Sequence, residues 1–142
     1  MFFRTDDQVR IRMPLAPSTN NLFINAPKGG SRARVRSPAY RQWAQLAGWE
    51  VRTQRPRPMK GRVTLQFFHG RPDKRRRDAS NYIKAPEDLL VSLGIIEDDS
   101  LVEGCSSFWV PGQSGTVVWI TPFETMWEHL CQRGEHTLIL AP

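Results

Sequence analysis

Asp78, Asn81, Lys84 and Asp88 are separated by steps of three, three and four residues. At 3.6 residues per turn these positions fall within an arc of about 120°, so one helical face would carry two carboxylates, an amide and an ammonium. Ile83 and Leu90 would point the other way, towards a core. Asp98 and Asp99 come just after, where the chain turns back towards a strand. Mg²⁺ takes hard oxygen ligands and keeps several waters, so two or three such carboxylates suffice to hold it. A bound Mg²⁺ activates water and stabilises charge on a phosphate in flight. Lys84 would then either stabilise the pentacovalent phosphate or orient the water. A plainer chemistry fits the same residues. Lys84 and Asp88 at i,i+4 could form a surface ion pair worth about a few tenths of a kcal/mol. Asp98-Asp99-Ser100 could be a turn with its cap.

The charge around this set is uneven. The 142 residues carry 20 Lys and Arg against 14 Asp and Glu, a net of +6. Residues 1–77 hold 18 of the basic groups and 4 acids, net +14; residues 78–142 hold 2 basic groups and 10 acids, net −8. The change of sign falls inside Lys74-Arg75-Arg76-Arg77-Asp78. Lys74, Arg75, Arg76 and Arg77 would hold phosphates, contacts that position a nucleic acid without reading its sequence. Acids within a basic field, joined by a cation, suit a metal-dependent nuclease. Without the cation the carboxylates would repel DNA.

Elements to carry these groups can be read from periodicity. Val9, Ile11 and Met13 alternate with polar residues as a half-buried strand does. Pro14 to Asn21 is a loop, from its prolines and turn formers. Residues 25–36 form a basic segment, and an extended chain would show Arg32, Arg34 and Arg36 on one side. Ser37-Pro38 opens a helix with Ser as N-cap and Pro in the first turn. Its apolar stripe is Tyr40, Trp43, Ala44, Ala47 and Val51, and Arg55-Pro56-Arg57-Pro58 ends it. Val63, Leu65 and Phe67 make a second strand. A second helix is expected from Ser80 to Leu93, with Gly94 as its stop. Two strands near Ser106–Val110 and Thr116–Thr121 are expected to form an antiparallel hairpin across residues 111–115. Phe123, Met126, Trp127, Leu130 and Cys131 share one side of a third helix, a stripe suited to packing on the domain or on a partner subunit. The fold class expected is α+β: a single domain with a small mixed sheet, two main helices and a C-terminal helical extension.

Several classes are set aside. No apolar stretch approaches the roughly 20 residues that span a bilayer. The start lacks the apolar core of a signal peptide. Cys105 and Cys131 read as reduced thiols, and with His69, His129 and His136 they miss zinc-ligand spacings. There is no Gly-rich phosphate loop and no nucleophile elbow.

At the carboxylates the chain resembles the RusA family of Holliday-junction resolvases of bacteria and their prophages. The family pattern is a basic string, Asp-x-Asp-Asn-x-x-Lys, an Asp four residues on, and, after Leu and Gly, a paired Asp-Asp. Its counterpart is Arg75-Arg76-Arg77-Asp78-Ala79-Ser80-Asn81-Tyr82-Ile83-Lys84, then Asp88-Leu89-Leu90 and Gly94-Ile95-Ile96-Glu97-Asp98-Asp99. The family's Pro-x-x-Pro-Ser-x-Asn is matched by Pro14 to Asn20, and Ala39-Tyr40-Arg41 matches the start of its first helix. The match spans roughly residues 8–122. The resemblance implies a homodimer that binds branched DNA, four-way junctions, and cuts two opposed strands symmetrically with Mg²⁺, or Mn²⁺ as substitute. It implies a role in recombination or repair in the bacterial cytoplasm, associated with the nucleoid when on DNA. Asp78 and Asp99 match catalytic, metal-binding carboxylates and Lys84 the catalytic lysine. Asn81, Asp88 and Asp98 match further motif positions, Asp98 a third metal ligand. The basic half, with Arg32, Arg34 and Arg36, would line the junction arms. A second function class is a branched-DNA-binding protein of the same fold that does not cut.

Three departures stand out. Ser80 occupies the place of the pattern's second Asp, so the site lacks one negative charge. Asp98 or Asp88 compensates, water fills the position, or activity is reduced. Pro86 lies inside the expected helix and should kink or restart it. If the helix begins there, Asp78 and Asp88 no longer share a face. Residues 1–122 would then be the resolvase domain, and residues 123–142, an amphipathic helix and short tail, extend beyond the family's usual end.

Overall fold

A computed structural model describes residues 7–28 and 31–134. The chain opens with β1 (Val9–Met13), whose residues alternate buried and exposed, as the period of two requires. The loop that follows contains a 3₁₀ turn, Thr19–Asn21. The basic segment then forms a hairpin absent from the sequence reading: β2 (Phe23–Lys28) and β3 (Ser31–Arg36) pair antiparallel as a two-stranded sheet.

Helix α1 (Pro38–Thr53) starts as expected, with Ser37 as N-cap accepting from the Tyr40 backbone N–H at 3.1 Å and Pro at the first position. Tyr40, Trp43, Ala47 and Val51 bury its apolar stripe. β4 (Val63–His69) follows, nearly all buried.

The expected second helix is broken in two. Residues Ala79–Tyr82 form a 3₁₀ turn, and α2 begins afresh at Lys84 and runs to Ser92. Pro86 is the reason. It lacks an N–H, so it is tolerated in the first turn, where donors have no intrahelical partner, and not within a continuous helix. Gly94 ends α2 with φ 68°, a left-handed backbone that favours glycine.

The expected C-terminal hairpin is also corrected. β5 (Val102–Trp109) and β6 (Thr116–Pro122) are not neighbours. The main sheet has the order β1-β6-β4-β5. β6 lies antiparallel between β1 and β4, and β5 pairs parallel with β4 on the outer edge. β4 supplies a buried apolar strand for both to add to, so residues 110–115 carry the chain across β4 and not round a tight turn. This crossing needs a close approach: a Cβ on Gly70 would lie 1.9 Å from the Gln113 carbonyl oxygen.

The inner face of the sheet carries Ile11, Val118, Ile120, Leu65 and Phe67, all 0 % exposed, and packs on α1 and α2 as one core. On the outer face Phe68 packs on Phe108 and Trp119, with the Arg10 guanidinium over the Trp119 ring. Helix α3 (Phe123–Gln132) rests on this outer face, where Met126 and Leu130 meet residues of β4 and β5. None of its residues is fully buried. The tail expected beyond it falls at residues 135–142, outside the described residues, as does the side chain of Arg32. Cys105 and Cys131 are free thiols. Among the described residues no helix is long and apolar enough to cross a membrane. The mixed α+β architecture is the one expected, with the β2–β3 hairpin added.

Candidate active site

The break before α2 divides the carboxylate series into two groups. The arc through Asp78, Asn81, Lys84 and Asp88 required one helix, and that arrangement is not formed. Asp78 is the N-cap of the 3₁₀ turn, in extended backbone, and its side chain makes no capping hydrogen bond. Its carboxylate is exposed. With Ser18, Arg76, Arg77, Asn81 and Tyr82 it lines an open pocket of about 530 Å³.

The N-terminal loop forms one wall of this pocket. Thr19 Oγ1 donates to the Asn81 carbonyl at 3.0 Å. Asn21 Nδ2 donates to Ser18 Oγ at 3.1 Å, and Ser37 Oγ donates to the Asn21 carbonyl at 2.7 Å. Trp43 Nε1 donates to the Pro14 carbonyl at 2.9 Å. The Pro-Ser-Thr-Asn stretch is therefore clamped between α1 and the 3₁₀ turn, which is why turn formers stand there.

The second group sits on α2 and the following turn. Lys84 Nζ lies 2.8 Å from Asp88 Oδ1, an i,i+4 ion pair. That hydrogen-bonded carboxylate holds the Lys84 ammonium above the ordinary lysine range, with Glu87 and Asp99 adding to it against partial desolvation. Tyr40 Oη reaches Asp88 Oδ2 at 3.5 Å, and burial and Asp88 together raise its phenol. Glu87 was not singled out from the sequence. It is half-buried, burial pushes its carboxyl up, Lys84 opposes this, and Asp88 and Asp99 add to it. Its place three residues after Lys84 was the available signal. Asp99 thus stands within electrostatic reach of Lys84 and Glu87.

Asp98 caps the 3₁₀ turn Asp99–Leu101, with Oδ1 accepting from the Ser100 backbone N–H at 2.8 Å. That bond keeps its carboxyl below the usual range, helped by the Asp99 and Ser100 side chains. The plainer reading of this triplet, a capped turn, is realised. Ser80 is exposed on the turn beside Asp78. Among the described residues no three His, Cys, Asp or Glu side chains form a group that could hold a metal ion.

The basic run is organised by Asp73. Arg77 Nη2 lies 2.7 Å from Asp73 Oδ2, and Asp73 Oδ1 accepts from the Arg75 backbone N–H at 2.9 Å. Arg77 also faces Tyr82 Oη at 3.4 Å. Lys74, Arg75 and Arg76 are exposed. On the hairpin, the Arg34 guanidinium lies over the Phe23 ring and that of Arg36 over Tyr40, each rigidified by its aromatic partner. Arg32 pairs with Pro27 in the β2–β3 register. Tyr40 therefore links the arginines of the hairpin to Asp88 and Lys84.

Comparison with known proteins meets the same stretch of chain. The family model "Endodeoxyribonuclease RusA" matches residues 14–121. The "Crossover junction endodeoxyribonuclease RusA" of Aquifex aeolicus (strain VF5) is 27% identical over 121 residues, covering 80% of this chain and 89% of that protein.

Proposed function

This chain belongs to the RusA endodeoxyribonuclease family, and from that premise we propose that it resolves Holliday junctions, as a homodimer, by paired symmetric nicks with Mg²⁺. The observation that carries the reading is the exposed, uncapped Asp78 carboxylate in a pocket it shares with Arg76, Arg77 and Asn81. A carboxylate beside two guanidinium groups can meet a phosphodiester without net repulsion.

The donor set fits a hydrated Mg²⁺, which needs one or two carboxylates and retains water. Asp78 and Asp99 are the two carboxylates that would hold it, with water as the remaining ligands. When bound, Mg²⁺ supplies a nucleophilic water and charge stabilisation at the phosphate. The chain's own groups supply the rest. Lys74, Arg75 and Arg76 hold flanking phosphates. Lys84 places a positive charge near Asp99, suited to the charge that builds on a phosphate oxygen. Asn81 offers an amide to orient a ligand beside Asp78. Arg34 and Arg36 extend the basic surface along an arm of the junction. Two opposed nicks need two such sites related by a two-fold axis, and the described residues of one chain supply one pocket of this kind around Asp78.

The test is cleavage of a labelled synthetic four-way junction by purified protein with Mg²⁺ or Mn²⁺. Nicks paired across the junction and lost with EDTA are expected. Equal cutting of linear duplex, or no cutting with any divalent metal, sinks the proposal. Ser80, neutral where the family pattern has an acid, favours a second reading: a branched-DNA-binding protein that does not cut. Tight junction binding without cleavage under every metal would support it.

A further inference from the structure

The peptide segment that carries Asp78 is held from both sides by β5. Trp109 Nε1 donates to the carbonyl of Arg77 at 2.9 Å. Ser107 Oγ donates to the carbonyl of Ala79 at 2.8 Å. These are the residues immediately before and after Asp78. Ser107 and Trp109 are two apart on one strand, so both point to the same face of the sheet, towards the 3₁₀ turn.

Behind Ser107 stands His69, which is 0 % exposed. His69 Nε2 lies 3.0 Å from Ser107 Oγ, and Nδ1 lies 2.8 Å from Thr116 Oγ1. The Ser107 hydroxyl has a single proton, and a carbonyl can only accept it. Towards His69 it must therefore accept, so Nε2 carries the imidazole proton. Nδ1 then accepts from Thr116. Burial holds the imidazole neutral, with a pKa of about 4. Every polar group in the relay Thr116–His69–Ser107–Ala79 is satisfied in one direction only. The rings add to the clamp: Trp109 packs edge-on against Tyr82 at 5.1 Å and tilts against His69 at 5.7 Å.

Resting on the reading of Asp78 as a catalytic residue, we propose that Ser107 and Trp109, with His69 behind Ser107, are positioning residues. They fix the carbonyls of the residues on either side of Asp78 and so aim its carboxylate into the pocket. A short 3₁₀ turn has few bonds of its own and a loop rich in arginine precedes it, so the direction of Asp78 is set by the edge strand. Displacement of a reacting group by about 1 Å can cost a hundredfold in rate.

The experiment uses the full chain with three substitutions. Ser107→Ala removes the hydroxyl, Ser107→Thr restores one, and Trp109→Phe keeps a ring but loses the N–H. Cleavage of a four-way junction is measured together with amide hydrogen exchange of residues 77–80 in the metal-free protein. Expected for Ser107→Ala and Trp109→Phe is a fall in kcat of about 10- to 100-fold with KM within about twofold. Faster exchange confined to residues 77–80 should accompany it, with exchange in β4 and β6 as in the wild type. Ser107→Thr should recover most of the rate. A folded Ser107→Ala or Trp109→Phe protein with wild-type kcat and exchange overturns the proposal, as does a Ser107→Thr protein as slow as Ser107→Ala. Loss of protection throughout the sheet would show a merely structural role and overturn it too. If the wild-type protein does not cut, the reading of Asp78 fails, and the exchange pattern still decides whether β5 holds this turn.

Discussion

Lys84 Nζ is paired with Asp88 Oδ1 at 2.8 Å, one helical turn away on α2. The ammonium proposed to act on a phosphate is thus already held by a carboxylate of its own helix. The pair directs Lys84, and it keeps the lysine charged. Replacing Asp88 by Asn removes the charge that raises the Lys84 pKa. The expected outcome is a Lys84 titration at lower pH, read by NMR of its side-chain carbon next to Nζ. The sign is that of a raised folded-state pKa: the pair's stabilisation is present below the ordinary lysine pKa and is lost as pH rises through the raised one. Lys84→Ala should lower kcat on a junction by roughly 10²- to 10³-fold. An Asp88→Asn protein with an unchanged Lys84 titration would remove the basis for this coupling.

Asp78→Asn should abolish cleavage while junction affinity stays the same or improves. The change removes one negative charge from a pocket lined by Arg76 and Arg77. Electrophoretic mobility shift on a four-way junction, beside the cleavage assay, checks both halves. Concurrent loss of binding would assign Asp78 a structural role.

Ser80→Asp restores the acid that the family pattern has beside Asp78. The position is exposed, so the new carboxylate can be solvated and the fold should tolerate it. Mn²⁺ affinity and cleavage rate should each rise by about an order of magnitude, the scale on which ligand-shell changes act. Titration calorimetry with Mn²⁺ measures the first, and an unchanged affinity would place Ser80 outside the metal's reach.

His69 gives the fold an acid sensitivity. Its pKa is about 4 in the folded chain against an ordinary 6.5. The unfolded chain therefore binds the proton more readily between those values, and stability falls as pH drops through that window. The loss attributable to this group approaches roughly 3 kcal/mol at the acid end. Urea midpoints between pH 7.5 and pH 4 should show it, and a folded His69→Gln protein should show a flatter dependence.

Gly70→Ala tests the crossing of residues 110–115 over β4. The added Cβ meets the Gln113 carbonyl at 1.9 Å, and backbone must move to admit it. A loss of about 1–3 kcal/mol or more is expected from urea denaturation, the usual cost of overpacking.

Much of the architecture was legible because the relevant signals are local. Alternation at Val9, Ile11 and Met13, the Ser37 cap and the stripe from Tyr40 to Val51 each depend only on neighbours in the chain. So does the Lys84–Asp88 pair, which i,i+4 spacing alone brings together. The Arg32, Arg34 and Arg36 spacing showed an extended segment, but its partner strand was missed because Phe23–Lys28 carries no alternation and contains Pro27.

What the sequence by itself determined is the inventory: an Arg-rich run that ends at Asp78, a lysine four residues before an acid, a paired Asp-Asp, and a serine two residues after Asp78. The tertiary structure alone decided how these are arranged. Pro86 could announce a restart of α2, but the direction that Asp78 then takes depends on Ser107 and Trp109, some 30 residues on. Those two reach the turn only because β5 joins the edge of β4 in parallel and leaves β6 to the centre. Strand partnership is a choice among distant apolar surfaces, set by which pairing buries most. No spacing within residues 102–122 encodes it.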